Sequence, residues 1–390
     1  MAGAWYHRRV PDTPPSLSVL QVLPSLESGG VERGTVEIAA AIVKAGGRSL
    51  VASAGGRLVA AVEFAGGRHV TLPLASKNPW RIWDNARLLA TLIRAERIGI
   101  VHARSRAPAW SAWLAAQRTG AHFVTTYHAP YSESSPAKRR YNSVMARGEL
   151  VIAISRTIAA LVAARYGIAP ARIRTIPRGI DPLVFDPTGV AADRVLRLAA
   201  AWRIGDAQEV ILLPGRLTRW KGQAVLIEAL SRLARRDVVV VLVGADRGRR
   251  RYVRELTRLA ERLGVADRVR MVGLCDDMPA ALMLAAVVVN PSQQPEGFGR
   301  VVIEAQAMAR PVIATGHGGA AETIAHGVTG WLVPPGEALT LAEALDHVLA
   351  LTPSARAAFG AQARAAVVAN YTVAAMQAAT LAAYRELLPA

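Results

Sequence analysis

Short apolar runs alternate with longer stretches whose apolar residues return every three or four positions, beginning at SLSVLQVLPS and continuing along the chain. The short runs predict strands near 17–24, 48–54, 99–103, 122–127, 150–154 and 173–177, with helices such as 33–45 and 86–97 between them. The rhythm breaks over DPTGVAADRVLRLAAAWRIGDAQEV and restarts at EVILLPG. Strands are then expected near 209–214, 238–243, 268–272, 286–290 and 311–315, and helices at 221–235, 250–263 and 337–350 among others. Alternation of this kind builds parallel sheets covered by helices, so the fold class is α/β. With 390 residues there is enough chain for two domains, each with its own core. The break sets the expected boundary: residues 1–190 form one doubly wound domain and 191–370 a second. The last amphipathic stretch, about 371–390, crosses back to the first domain. No repeat or low-complexity segment is visible.

Composition narrows the class. Hydrophobic residues make up 52%, yet runs such as VVVVLVG and AALMLAAVVVN fall short of the roughly 18 residues of a membrane span. No transmembrane helix is predicted. The first 25 residues lack the order of a secretory signal, a basic start followed by a long apolar centre and a small-residue cleavage site, so a cytoplasmic location is expected. The single cysteine, Cys275, excludes an internal disulfide and reads as a small buried hydrophobe. Net charge is +18, unevenly shared. Residues 1–190 carry 24 Lys/Arg against 11 Asp/Glu, while the remainder carries 23 against 18. A cationic half is drawn to anionic lipid, phosphorylated glycan or nucleic acid. The excess of arginine over lysine beside abundant alanine leaves a purely compositional origin open. Aromatic content of 5% without a stacking motif weighs against nucleic acid.

Candidate chemistry gathers where strands end. EGFGRVVIE, which follows the strand AVVVNPS, puts Glu296 and Glu304 on either side of a helix start. Gly297 and Gly299 let backbone amides approach a ligand, and a helix N-terminus favours phosphate, so the two carboxylates are placed to hold sugar hydroxyls. The alternative is a turn cap and a solvated glutamate. Glycine-rich turns in PVIATGHGGAAE and GVTGWLVPPG follow closely and favour the ligand reading. PGRLTRWKG offers Arg216 as a planar fork and Lys221 as a point charge at one loop-to-helix junction, a match for a diphosphate; solvated cations with apolar stems are the alternative. In ESGGVERG, Gly29 and Gly30 free the backbone before a helix, either for phosphate or for a tight turn. Their spacing is wrong for a dinucleotide fingerprint, and RSLVASAGG ends without the acidic residue that holds a ribose, which weighs against a dehydrogenase. His128 in TTYHAPY stands just past a strand end. In VHARSR, His102 reads as a core histidine, whereas Arg104, Arg106 and the nearby Trp110 are candidates for facing an anionic acceptor. His317 reads as structural. No Ser-His-Asp order, P-loop or HExxH occurs.

Taken together, SGGVER, TTYH, VIAISRTI, IPRGIDPLVFDP, PGRLTRWKG, PEGFGRVVIEAQAMARPVIAT, GGAAE and GVTGWLVPPG resemble the large retaining glycosyltransferase family 4 over nearly the whole chain. The resemblance implies the GT-B fold, two Rossmann-like domains facing across a deep cleft, and a nucleotide-diphosphate sugar as donor, with no metal or other cofactor. By resemblance Glu304 binds the ribose, and Glu296 with the backbone of Gly297, Phe298 and Gly299 binds the sugar, Val301 lying in the same donor stretch. Arg216 and Lys221 bind the diphosphate, and His128 lies against the transferred sugar. Gly29 and Gly30 close over the phosphates from the other domain, and Glu322 supports the geometry. One departure is Arg178, where many relatives carry asparagine before the Gly-Ile-Asp. The implied chemistry retains the anomeric configuration by a front-face route, a donor phosphate oxygen taking the acceptor proton. The basic first half suggests an anionic lipid-linked glycan or lipopolysaccharide core as acceptor, met peripherally at the inner membrane face. A non-catalytic sugar-nucleotide sensor or membrane-docked scaffold, and a GT-B sugar-nucleotide epimerase, are the other readings; the intact charged set and the second glutamate weigh against them.

Overall fold

The computed structural model describes residues 17–27, 29–246 and 248–388. The segment read above for a targeting signal falls largely outside them, as does Ser28 of the SGGVER motif. Two parallel sheets account for the strands. The first contains β1 (Ser18–Val22), β2 (Arg48–Ser53), β3 (Arg68–Thr71), β4 (Ile100–Ala103), β5 (His122–Tyr127), β6 (Leu150–Ala153) and β7 (Ile173–Thr175), in the order β3-β2-β1-β4-β5-β6-β7. The second contains β8 (Glu209–Pro214), β9 (Val238–Val243), β10 (Val269–Gly273), β11 (Ala285–Asn290), β12 (Val312–Thr315) and β13 (Trp331–Val333), in the order β10-β9-β8-β11-β12-β13. This is the GT-B arrangement of two Rossmann-like domains expected from the sequence.

Strand composition explains the topology. All six residues of β9, VVVVLV, are buried, because helices cover both faces of the sheet and polar alternation has no place there. Burying each such side chain stabilises the fold by about 1.5–3 kcal/mol before conformational entropy is set against it. In each sheet the strand order reverses beside the first strand, so β1 pairs with β2 on one side and β4 on the other, and β8 pairs with β9 and β11. Loops leaving those strands diverge and open a crevice at their carboxyl ends.

The chain crosses between the sheets twice, and the crossings touch. Ile180 donates its amide to the Tyr371 carbonyl at 2.9 Å and accepts from the Val373 amide at 2.8 Å. Beyond the first crossing, helix Ala192–Ala201 packs on helix Met278–Leu284, with Arg194 forked onto Asp277 at 2.7 and 2.8 Å. Beyond the second, helix Val373–Arg385 packs on helix Gly30–Lys44 of the first sheet. Among the described residues no helix is long and apolar enough to cross a membrane. Cys275 is half-buried at the edge of the core, less enclosed than the sequence suggested, because it sits on an irregular loop after β10.

Candidate active site

The second sheet delivers three loops to one place. After β8, Gly215 and Arg216 lead into a short turn, Arg219–Lys221, that precedes helix Gln223–Arg232. The Arg216 side chain is exposed, and its carbonyl accepts the Gln223 side-chain amide at 3.0 Å. Lys221 is turned inward and only 8% exposed. Its ammonium lies 2.7 Å from Glu296 Oε1, and 4.7 Å from the centre of the Trp220 ring. Ser292 also donates to Glu296 Oε1. Burial pushes the Glu296 carboxyl up, but the Lys221 charge, with the hydrogen bonds from Lys221 and Ser292, outweighs it and holds the group below the usual glutamate range.

Glu296 lies within the loop that joins β11 to helix Arg300–Ala307. Its carbonyl accepts the Gly319 amide at 2.9 Å, and His317 donates Nε2–H to the Ser292 carbonyl at 2.8 Å, so the turn after β12 braces the loop from below. His317 is therefore structural, as expected. Gly299, with φ of 81°, ends the loop in a left-handed conformation and caps helix Arg300–Ala307. Glu304, one turn into that helix, lies 3.2 Å from Arg300. Burial raises its carboxyl above the ordinary value, and the charges of Arg300 and of Arg33 from the other domain only partly oppose this. Val301 is half-buried, and the Phe298 ring is buried edge-on to Tyr371, so Phe298 presents only backbone to the crevice.

The first sheet meets these loops directly. A Cβ on Gly297 would lie 2.2 Å from the His128 carbonyl oxygen, so only glycine permits this approach between the two domains. The His128 ring is held neutral, its pKa lowered well below 6.5 by burial and then by the charges of Arg178, Arg104 and His102. Its Nε2 is sequestered and has no hydrogen-bond partner among the described residues. Gly29 caps helix Gly30–Lys44, and the Gly30 Cα would carry a Cβ 3.7 Å from Arg300 Cδ. Glu322 reaches across in the opposite sense. Its carboxylate accepts from the amides of Arg156 at 2.9 Å and Thr157 at 2.6 Å, and from the Thr157 hydroxyl at 2.6 Å, at the start of helix Arg156–Tyr166.

Residues 28–182 match the family model for Glycosyltransferase Family 4, and residues 197–366 that for Glycosyl transferases group 1. A D-inositol 3-phosphate glycosyltransferase of Xylanimonas cellulosilytica is 35% identical over 283 residues, covering 68% of this chain and 67% of that protein. The chain belongs to glycosyltransferase family 4. A GDP-mannose-dependent alpha-(1-6)-phosphatidylinositol monomannoside mannosyltransferase of Mycobacterium tuberculosis is 33% identical to the transferase over 211 residues, 52% of each chain. Among solved structures, a glycosyltransferase from Rickettsia africae superposes with a TM-score of 0.88 at 35% identity, covering 95% of this chain and 98% of that one. Anabaena HepE in complex with UDP and glucose superposes with a TM-score of 0.81 at 25% identity, covering 94% and 99%.

Of the other residues singled out in the transferase sequence, Arg104 and Trp110 are placed differently from expectation. Arg104 does not face an open acceptor surface: it is 2% exposed, donates to Gln21 Oε1 at 3.1 Å, and lines a cavity of about 10 Å³, room for one water. The sheet end curls its side chain under the first helix. Trp110 is spent on the fold as well, with Nε1 donating to the Tyr141 carbonyl at 3.0 Å and its ring edge-on to Trp113. His102 is the satisfied core histidine expected, 2.6 Å from both the Tyr384 and Thr126 hydroxyls. Arg106 does reach an opening. Together with Lys77, Lys138, Ser105, Ser132 and Asn142 it lines a groove of about 680 Å³, its guanidinium 2.9 Å from Asn142 Oδ1 and stacked 4.1 Å over Tyr131.

Arg178 has a structural account. It is 5% exposed, donates to the Gly30 carbonyl, and occupies space that any side chain at Gly34 would fill. Burial, with Arg104 alongside, pulls its pKa down to about 9. Sequence reading missed Arg300 and Arg33, which flank Glu304. The signal for Arg300 was present, since it directly follows Gly299 and precedes Glu304 by one helical turn.

Proposed function

We propose that this family 4 glycosyltransferase moves a sugar from a nucleotide-diphosphate donor to an anionic acceptor with retention at the anomeric carbon. The observation that carries the reading is the buried Lys221 and Glu296 pair at the carboxyl end of the second sheet, in a loop whose Gly297 packs on the His128 carbonyl of the first. Lys221 and the more exposed Arg216 take the diphosphate, Glu296 and the Gly297–Gly299 backbone the sugar, and Glu304 the ribose. Gly29 and Gly30 close over the phosphates, His128 lies against the sugar ring, and Glu322 holds the two domains in register. The nucleotide sugars of similar proteins, UDP-glucose bound to HepE and GDP-mannose in the name of the mycobacterial enzyme, agree with this class.

In the proposed reaction the bond from the anomeric carbon to the diphosphate oxygen breaks while the acceptor oxygen bonds on the same face. The acceptor proton passes to a donor phosphate oxygen, and the nucleoside diphosphate leaves with its new charge against Lys221 and Arg216. No step requires a metal, so chelation leaves the rate unchanged. We place the boundary between the acceptor and donor domains at 190/191, with the final helix returning to the first. The groove around Lys77, Arg106 and Lys138 takes the acceptor, for which its charge suits a phosphorylated or lipid-linked glycan of the cell envelope, reached from the cytoplasmic side by peripheral contact.

The test is product NMR on transfer from UDP-, GDP- and ADP-sugars to paired acceptors with and without a phosphate. Retention with a preference for the phosphorylated acceptor supports the proposal. Inversion sinks the front-face route, and indifference to the phosphate sinks the acceptor assignment.

A further inference from the structure

We propose that the outer face of helix Pro79–Ala95 is the surface by which the protein docks on an anionic lipid bilayer. Asn78 caps this helix, accepting from the Trp80 amide at 2.9 Å, and Pro79 fixes its first turn. The inner stripe, Asn85, Ala86, Leu89, Ala90 and Ile93, is buried against helix Arg106–Thr119. The opposite stripe is not what solvent selects. Trp80 is 81% exposed, Trp83 46% and Leu88 50%, at helical spacings that put all three on one side. Arg87 and Arg118 each hold a guanidinium 4.4 Å from the Trp83 ring centre, and Arg81 is exposed beside them. Asp84 is the only acid in the helix.

Indole rings with guanidinium groups on a rigid, exposed helix match the chemistry of a head-group layer, where the ring sits at the interface and the cation meets lipid phosphate. A protein partner of complementary charge would need an acidic, apolar-lined face; a bilayer supplies both features without a built pocket. The surface is also continuous with the groove proposed for the acceptor, because Lys77, one residue before the cap, lines that groove with Lys138. A docked molecule would therefore hold the groove at head-group level. This inference rests on the reading that the acceptor is membrane-borne.

The experiment is sedimentation with phosphatidylglycerol–phosphatidylcholine vesicles and with pure phosphatidylcholine vesicles at low salt, for the full chain and for W80A/W83A, W80F/W83F and R81A/R87A. Binding to the anionic vesicles alone is expected. Partitioning should fall at least about tenfold in W80A/W83A and about 25-fold in R81A/R87A, roughly fivefold per basic residue at a membrane surface, with W80F/W83F largely retained. Donor hydrolysis in solution should be unchanged in all three, which also reports that they fold. If the variants sediment like the parent, a different face docks and this proposal is overturned while a membrane-borne acceptor survives. If the parent ignores anionic vesicles, both fall, and transfer to a soluble acceptor still tests the transferase reading separately.

Discussion

Replacing Lys221 by alanine should reverse the way the protein's stability responds to acid. Lys221 and Glu296 approach to 2.7 Å with side chains 10% and 12% exposed, so little solvent takes over when one partner is lost. Removing one member of a buried pair costs about 3–5 kcal/mol, and the residual exposure puts the expectation near about 3 kcal/mol. The sign of the pH dependence follows from Glu296. In the parent its pKa lies below the ordinary value, so its stabilisation is complete above the unfolded pKa and is lost as pH falls through the folded one. Without the cation, burial dominates and the folded pKa rises above the unfolded one. The variant then binds a proton more tightly when folded, and it should gain stability, relative to the parent, as pH falls from 7 to 5.

The largest slope one such proton allows is about 1.4 kcal/mol per pH unit. Urea denaturation of parent and K221A at pH 7, 6 and 5 measures the difference, and K221A/E296Q should recover part of the loss because no carboxylate is then stranded. Parallel pH profiles for parent and K221A would show that Lys221 does not control Glu296, and the electrostatic account of the site would fail. The same variant should lose about 100-fold or more in turnover if the ammonium meets the leaving diphosphate. That loss is separable from stability when assayed well below the unfolding midpoint.

Three further outcomes are expected. Glu304→Gln removes a carboxylate whose pKa burial raises, so the stability that the parent loses as pH rises from the ordinary glutamate value through the folded one should no longer be lost; calorimetry should show donor affinity falling about 10- to 100-fold, while equal titration curves for parent and variant would contradict the buried-carboxylate argument. Gly297→Ala sets a methyl against the His128 carbonyl, forcing the domains apart locally; kcat/KM should drop about 100-fold with the melting temperature nearly unchanged, and normal turnover would disprove the contact in the working enzyme. Glu322→Ala strips three hydrogen bonds from the start of helix Arg156–Tyr166 and should weaken the closed arrangement by about 1–2 kcal/mol, visible as a larger radius of gyration by small-angle scattering, where an identical curve would count against it.

Most of the sheet framework was legible because doubly covered parallel strands are apolar throughout, as VVVVLV shows. β3 and β13 escaped for a physical reason. Both are edge strands with less surface to hide; β3 is the half-exposed RHVT, and β13 is three residues inside a segment rich in turn formers. Helix Pro79–Ala95 was expected to start near residue 86 because its first two turns carry exposed tryptophans that blur the apolar period, although the Asn78 and Pro79 start signal was there to be read.

Long-range pairing separates what the candidate site showed in sequence from what it hid. Glycine loops and charged residues at strand ends are local features, and each had to be written into a few consecutive residues. Whether a cation at such a place faces ligand or core is decided elsewhere in the chain: Gln21 draws Arg104 inward from 83 positions away, Gly30 accepts Arg178 from 148, and Glu296 claims Lys221 from 75. Arg104 and Arg106 make the point within one turn of chain, since the first is sealed against the helix after β1 and the second opens on the groove. Two residues of the same chemistry, two positions apart, differ because Arg104 directly follows the strand Ile100–Ala103 whereas Arg106 is the first residue of the helix Arg106–Thr119, and the change from strand to helix turns its side chain away from the core. The parallel sheets thus determine which cations become solvent-facing and which become struts, and the loops at the switch points only supply the choice.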